Sequence, residues 1–182
     1  MVATQITPFV PTALEAVYHV FATAAPDQPD REASGFLVSQ YTLAGFREFL
    51  AARQAYVAYQ EGLAIGFVVI ALPTLDQMEP IRWLGTPVLD AGDGRLLWIK
   101  MVAVLPTYKR QGIATALYQH IFAAHSESTF ITGLYEVPLH NRASSAFHLA
   151  LGFQRVGVIE RFVDEMNVNQ PQCRVTGIYY RG

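Results

Sequence analysis

Hydrophobic positions along the chain switch between two periods, and the switches delimit elements. ITPFV near the start is extended. From about Pro11 the apolar residues Leu14, Val17, Tyr18 and Phe21 recur at helical spacing, which predicts a helix with proline in its first turn. After the polar, proline-rich loop APDQPDREASG, Thr42 is placed to cap a second helix carrying the stripe Leu43, Phe46 and Leu50. AYVAY and LAIGFVVIAL, separated by QEG, predict a strand hairpin. Pro73 to Arg95 shows no period, has prolines at 73, 80 and 87 and the turn AGDG, and reads as a long loop with a small apolar cluster at Trp83 and Leu84. Loops of that length are often lids or binding segments.

The second half returns to strong periodicity. IKMVAVLP is a buried strand that bends at Pro106. A polar turn then leads into a helix with Ile113, Ala116, Leu117, His120, Ile121 and Ala124 on one face. FITGLYE is a strand, and Arg142 to Leu151 is a helix whose expected core face is Ala143, Ala146, Phe147, Ala150 and Leu151. FQRVGVIERFV and CRVTGIYYRG close the chain as two strands joined by the acidic and polar loop DEMNVNQPQ. No repeat, low-complexity tract or composition break appears, so residues 1–182 read as one domain.

Composition narrows the function classes. Of the 182 residues 52% are apolar, enough for a full core and too many for a disordered chain. The net charge is -2 and no Lys/Arg block occurs, so a nucleic-acid partner is not expected. Cys173 is the only cysteine, which excludes an internal disulfide and a cysteine-based metal site and suits a reducing compartment. His120 and His125, five apart on a predicted helix, lie on different faces, and His140 has no partner at ligand spacing, so no metal is expected. The N-terminus lacks a basic start followed by an apolar core, and runs such as FVVIAL are too short to span a bilayer. The expected location is cytoplasmic, with no membrane partner.

The turn from Lys109 to Ala114 carries the chemical signal. Gly112 permits a tight backbone path, and the first amides of the following helix have no partner inside it, so the turn suits a phosphate at the positive end of the helix dipole. Two other phosphate motifs, G-x-x-x-x-G-K-[ST] and G-x-G-x-x-G, are absent.

VAVLPTYKRQGIATAL resembles the acyl-CoA-binding motif [RQ]-x-x-G-x-[GA] of the GNAT superfamily of N-acetyltransferases. Gly112 and Ala114 match, and Lys109 stands where Arg or Gln is usual, keeping the charge but not the planar donor fork. Leu134 to Phe153, LYEVPLHNRASSAFHLALGF, is similar to the strand, helix and Gly-Phe turn of the same family, with spacing most like the ribosomal-protein alanine N-acetyltransferases. There the positions of Glu136, Asn141 and His148 hold a general base, a CoA contact and a tyrosine that protonates the leaving thiolate. His148 replaces that tyrosine.

The resemblance implies an α/β (α+β) GNAT-like fold, with a mixed, mostly antiparallel central sheet of about seven strands flanked by about four helices. It implies acetyl-CoA as co-substrate and direct attack by a primary amine, belonging to a small molecule or a protein N-terminus. The backbone of Val102, Ala103 and Val104 would hold the pantetheine arm. Lys109, Arg110, Gln111, Gly112, Ile113, Ala114 and Thr115 would receive the pyrophosphate, and Asn141 would add a CoA contact.

Physical chemistry permits these roles. An amine with pKa near 10 is almost wholly protonated at neutral pH, so a base is needed, and Glu136, at the end of an apolar strand, either takes that proton or sits at a solvated rim. His148 as imidazolium, pKa about 6.5, can protonate a thiolate whose thiol has pKa about 8.5. The bland alternatives are an N-cap for Asn141 and a solvated helix position for His148. A second function class stays open: a catalytically silent acyl-CoA-binding sensor or scaffold, which the Lys109 and His148 departures would suit. A third is transfer of a longer acyl group or to another acceptor. Loop acids Asp27, Asp30, Glu32, Asp164 and Glu165 would attract a cationic amine, and exposed C-terminal strand edges make a homodimer plausible.

Overall fold

The computed structural model describes residues 3–24, 35, 37, 39–85, 96–138, 140–163 and 172–182. The AGDG turn and the loop acids Asp27, Asp30, Glu32, Asp164 and Glu165 lie outside the described residues, as does the side chain of Cys173. Among the described residues there are eight strands, β1 (Gln5–Pro8), β2 (Gln54–Gln60), β3 (Leu63–Ala71), β4 (Arg82–Trp83), β5 (Leu96–Val104), β6 (Thr129–Val137), β7 (Gln154–Val163) and β8 (Gln172–Arg181). The α-helices are α1 (Leu14–Thr23), α2 (Leu43–Ala51), α3 (Leu75–Met78), α4 (Ile113–Ala124) and α5 (Arg142–Ala150). The strands form an open sheet in the order β1-β2-β3-β5-β6-β8-β7-β4. The β1/β2, β2/β3, β4/β7, β6/β8 and β7/β8 pairs are antiparallel. This is the expected α/β class. The strand and helix beyond the expected numbers, β4 and α3, both come from the aperiodic stretch after Pro73. A four-residue helix and a two-residue strand are too short to show a period. Thr74 and Gln77 close a capping box there, and Met78 and Ile81 reach the core.

The chain divides into two compact units. Unit 1 comprises Met1–Pro29, Phe36–Ala71 and Ile99–Ser128. Its helix α1 follows a single 3-10 turn opened by Pro11, and it buries Leu14, Val17, Val20 and Phe21. Tyr18, expected on that face, is half-buried and donates its hydroxyl to Tyr41 O at 2.9 Å. The Thr42 side chain accepts from the Gly45 amide at 3.1 Å, the expected cap of α2. In the interior Phe21 stacks on Phe46, centroids 4.8 Å apart, and Phe67 meets Phe46 edge-to-face at 5.9 Å. The β2–β3 hairpin turns on Glu61 and Gly62, both left-handed with φ 49° and 79°, the two-residue geometry that matches strand twist.

Unit 2 comprises Asp30–Gly35, Leu72–Trp98 and Thr129–Gly182. Its core gathers Met78, Ile81, Leu96, Trp98, Ile131, Ile159 and Ile178, with Trp83 partly buried against them. Leu84, paired with Trp83 in the expected cluster, is 52% exposed. Strands β6 and β7 flank β8, and both pairings contain a β-bulge, between Tyr135 and Val137 on β6 and between Arg155 and Gly157 on β7.

Candidate active site

The expected site residues fall in both units. In unit 1, β5 ends at Val104 and the chain makes one 3-10 turn over Pro106–Tyr108 before α4. Arg110 and Gly112 both take left-handed conformations, φ 61° and 80°. Gly112 is the N-cap of α4, and no side chain caps that end. The amides of Ile113, Ala114 and Thr115 therefore open the helix without intrahelical partners, and the dipole adds partial positive charge there. A Cβ at Gly112 would meet no heavy atom within 4 Å, so the glycine is required by its φ and not by crowding. Gln111 braces the turn from outside, its Nε2 donating to Thr107 O at 3.0 Å. Burial lowers the pKa of Lys109 from its ordinary value.

A second glycine fixes how this turn is seated. A Cβ on Gly66 of β3 would lie 3.0 Å from Ala103 O, 3.2 Å from Ile113 Cγ2 and 3.3 Å from Val104 Cγ2. Glycine at position 66 thus lets β5 and the start of α4 pack close to β3. Ala103 and Val104 are buried and Val102 is half-buried. His120 and His125, expected on different faces of α4, both reach Tyr56. His125 is the C-cap, its backbone no longer helical, and its Nε2 lies 3.3 Å from the Tyr56 hydroxyl, while the His120 ring centroid lies 4.9 Å from that of Tyr56.

In unit 2, Glu136 is the residue skipped by the β6 bulge: Tyr135 pairs with Thr176 and Val137 with Val175. A bulge re-aims the side chain beside it. The Glu136 carboxylate lies over Gly177, where a Cβ would come within 2.0 Å of Oε1. Arg155, at the edge of the β7 bulge and opposite Tyr179, donates Nε to Oε1 at 2.8 Å and Nη2 to Oε2 at 2.7 Å. The Tyr179 hydroxyl donates to Oε1 at 3.3 Å. The Arg155 hydrogen bonds hold the Glu136 carboxyl below the usual carboxylate range, outweighing the rise from burial. Burial raises the Tyr179 phenol, which is also hydrogen-bonded to Ser145. Ser145 Oγ lies 3.1 Å from His140 Nε2.

Helix α5 reverses the expected face. The N-cap Asn141 and the helix residues Ser145 and His148 are buried, at intervals of four and three, while of the expected core face Ala146 and Ala150 are exposed and Ala143, Phe147 and Leu151 are half-buried. The polar face turns inward because each group finds a partner there. Asn141 Oδ1 accepts from the Ser144 amide at 3.2 Å, the N-cap reading, and Ser145 meets His140 and Tyr179. His148 is 1% exposed, which removes the solvated reading. Its Nδ1–H donates to Ser144 O at 2.7 Å, and the ring stands edge-on to Phe153, 5.2 Å between centroids. Burial pushes its pKa down to about 4 against the opposing effect of the Ser144 bond. The ring is therefore neutral at pH 7 and lacks the imidazolium proton expected from the sequence.

Arg155, Tyr179, Ser145 and Gly177 escaped the sequence reading. Only Gly177 left a signal, a glycine inside a strand pattern, which marks close approach of another group. Among the described residues no group of three or more His, Cys, Asp or Glu is placed to hold a metal ion. No described helix is long and apolar enough to cross a membrane.

The family model for the acetyltransferase (GNAT) family matches residues 14–153. The chain belongs to the GNAT acetyltransferase family. The Gly112 turn and α5 both fall inside that match, and the fold agrees with solved acetyltransferases. Ribosomal-protein-S18-alanine N-acetyltransferase from Escherichia coli superposes with TM-score 0.66 at 17% identity, over 98% of this chain and 92% of that one. An N-acetyltransferase from Staphylococcus aureus Mu50 gives 0.68 at 13% identity, over 98% of each chain. Ard1 from Thermoplasma volcanium gives 0.65 at 18% identity, over 99% and 97%. At these identities the likeness is one of fold. No curated protein sequence matches the chain. As a GNAT member this is an acyltransferase, and acetyl-CoA is the family's co-substrate.

Proposed function

We propose that this GNAT acetyltransferase is a single-domain cytoplasmic enzyme that moves the acetyl group of acetyl-CoA to a primary amine by direct attack. The observation that supports it most is the Gly112 turn, an exposed, uncapped helix start inside the family match. The pyrophosphate is assigned to the backbone from Arg110 to Thr115, with Lys109 adding positive charge. The pantetheine arm is assigned to the backbone of Val102, Ala103 and Val104, and a further CoA contact to Asn141. Acetyl-CoA supplies an activated acyl carbon and a thiol leaving group; the protein supplies position and proton handling.

Glu136 is the assigned base. Paired with Arg155 it is a weaker base than a free carboxylate, but it stays ionised to low pH and keeps a fixed direction. It acts by orienting the ammonium, or a water beside it, and taking its proton as the amine attacks. His148 is assigned a positioning role on the buried face of α5 rather than an acid role. A thiol of pKa about 8.5 leaves well enough to be protonated by water near neutrality.

The test begins with thermal unfolding in acetyl-CoA, CoA and ATP. A ligand at about a hundred times its Kd stabilises by roughly 2.7 kcal/mol, a shift of roughly 5 to 10 °C in a chain of this size. Both CoA forms should give that shift and ATP should not. Thiol release with a panel of amines then reads transfer, and Glu136→Gln should lower it. His148→Phe should lower turnover more than acetyl-CoA affinity; unchanged turnover would remove His148 from the mechanism. The ion-paired Glu136 and neutral His148 also favour a second reading, a catalytically silent acyl-CoA-binding sensor or scaffold. That reading predicts CoA binding with no thiol release for any amine.

A further inference from the structure

The group around Glu136 is more elaborate than a lone base requires. Two bulges on different strands, β6 and β7, bring Glu136 and Arg155 together, and Gly177 on the strand between them clears the space the carboxylate occupies. The Arg155 fork takes both carboxylate oxygens. Tyr179 takes a second position on Oε1, so Oε1 accepts two hydrogen bonds and Oε2 one from these partners. A carboxylate oxygen accepts about two. Glu136 keeps 16% side-chain exposure and Arg155 36%. Oε2 thus keeps an acceptor position that none of these partners takes, and Glu136 uses two of the five N–H donors of Arg155.

The charges of this pair cancel for a distant ligand. A simple cationic amine gains little attraction from a carboxylate already neutralised by a guanidinium. If it draws Glu136 away, it leaves Arg155 without an anion. A ligand bearing an ammonium and a carboxylate on one carbon has the opposite arrangement: its ammonium meets Oε2 while its carboxylate meets Arg155, and neither protein charge loses a partner.

We infer that the amine acceptor is zwitterionic, an α-amino acid whose ammonium is received by Glu136 and whose carboxylate is received by Arg155. This rests on the acetyl-transfer reading above. In the reaction the amino nitrogen, after giving one proton to Glu136 or its water, forms the new amide bond as the thioester C–S bond breaks. The thiolate takes up a proton, and the product N-acetyl amino acid keeps its carboxylate on Arg155.

The experiment compares each standard α-amino acid with its α-carboxamide and its decarboxylated amine, by acetyl-CoA-dependent thiol release. The carboxamide has a less basic and so more often neutral amine, which biases the assay against the inference. At least one free acid should exceed its carboxamide in kcat/KM by roughly tenfold or more, mainly through KM, and Arg155→Gln should collapse that ratio toward one. Arg155→Lys, which keeps charge without the fork, should restore only part of it. Carboxamides or simple amines that serve as well as the acids, or a ratio unchanged in Arg155→Gln, would overturn the inference and leave the transferase reading intact. If no amine releases thiol, the transferase reading fails. Titration calorimetry of the same acids and carboxamides into CoA-saturated protein then decides the site separately. Preferential binding of the acids supports it, and equal or no binding overturns it.

Discussion

Glu136 shows how much of a residue's chemistry is set by its neighbours. As a lone carboxylate at the end of an apolar strand it reads as a base; with Arg155 on both oxygens and Tyr179 on one, it becomes a fixed anion of lowered basicity. Gly177 keeps that arrangement possible, which gives a prediction at this scale. In Gly177→Ala the new methyl must displace the tip of the Glu136 side chain, since its Cβ would sit 2.0 Å from Oε1. Because the pair is partly exposed, stability should fall by only about 1 kcal/mol. Acetyl transfer should fall as far as in Glu136→Gln. Urea unfolding beside thiol-release kinetics separates the two, and wild-type transfer in Gly177→Ala would show that the position of the carboxylate does not matter.

Among the elements, α4 and α5 make the clearest demands. The start of α4 depends on a left-handed Gly112. Gly112→Ala should cost about 1 to 2 kcal/mol of stability and weaken CoA binding, both measurable by thermal unfolding with and without CoA. For α5 the reversed face has its own consequence. Leu149, 55% exposed, should accept glutamine within about 0.5 kcal/mol. Ser145→Leu, which removes the hydroxyl that meets His140 and Tyr179 and adds bulk at a buried position, should cost about 2 kcal/mol or more. Equal costs for the two substitutions would refute the reversed orientation. Periodicity placed this helix correctly in the chain, because spacing reports that a segment is helical. It misjudged the face, because small alanines are at ease in water and three polar groups with partners are at ease inside.

At the scale of the whole molecule, acidification should act first through His148. Its folded pKa, about 4, lies below the ordinary 6.5 of an unfolded histidine, so the unfolded chain binds the extra proton first. The stability from its neutral burial is complete above about pH 6.5 and is lost as pH falls toward 4, up to about 3 kcal/mol. The Glu136 pair, lowered from 4.5, loses its contribution below that value. Urea unfolding at pH 7, 5.5 and 4 should show a loss in the wild type that is smaller in His148→Gln in the upper window, where His125, also lowered by burial, still contributes; identical profiles would mean that His148 titrates normally. By itself the sequence determined the family, the strands and helices of any length, and the glycine turn that opens α4, since these depend on spacing and on local backbone requirements. Only the tertiary structure decided that Glu136 is paired, that His148 is buried and neutral, and that α5 faces inward with its polar side. The pairing of Glu136 depends on partners far along the chain, Arg155 nineteen residues away and Tyr179 forty-three, and on strand bulges that no local pattern records, while the other two depend on which face of α5 is covered.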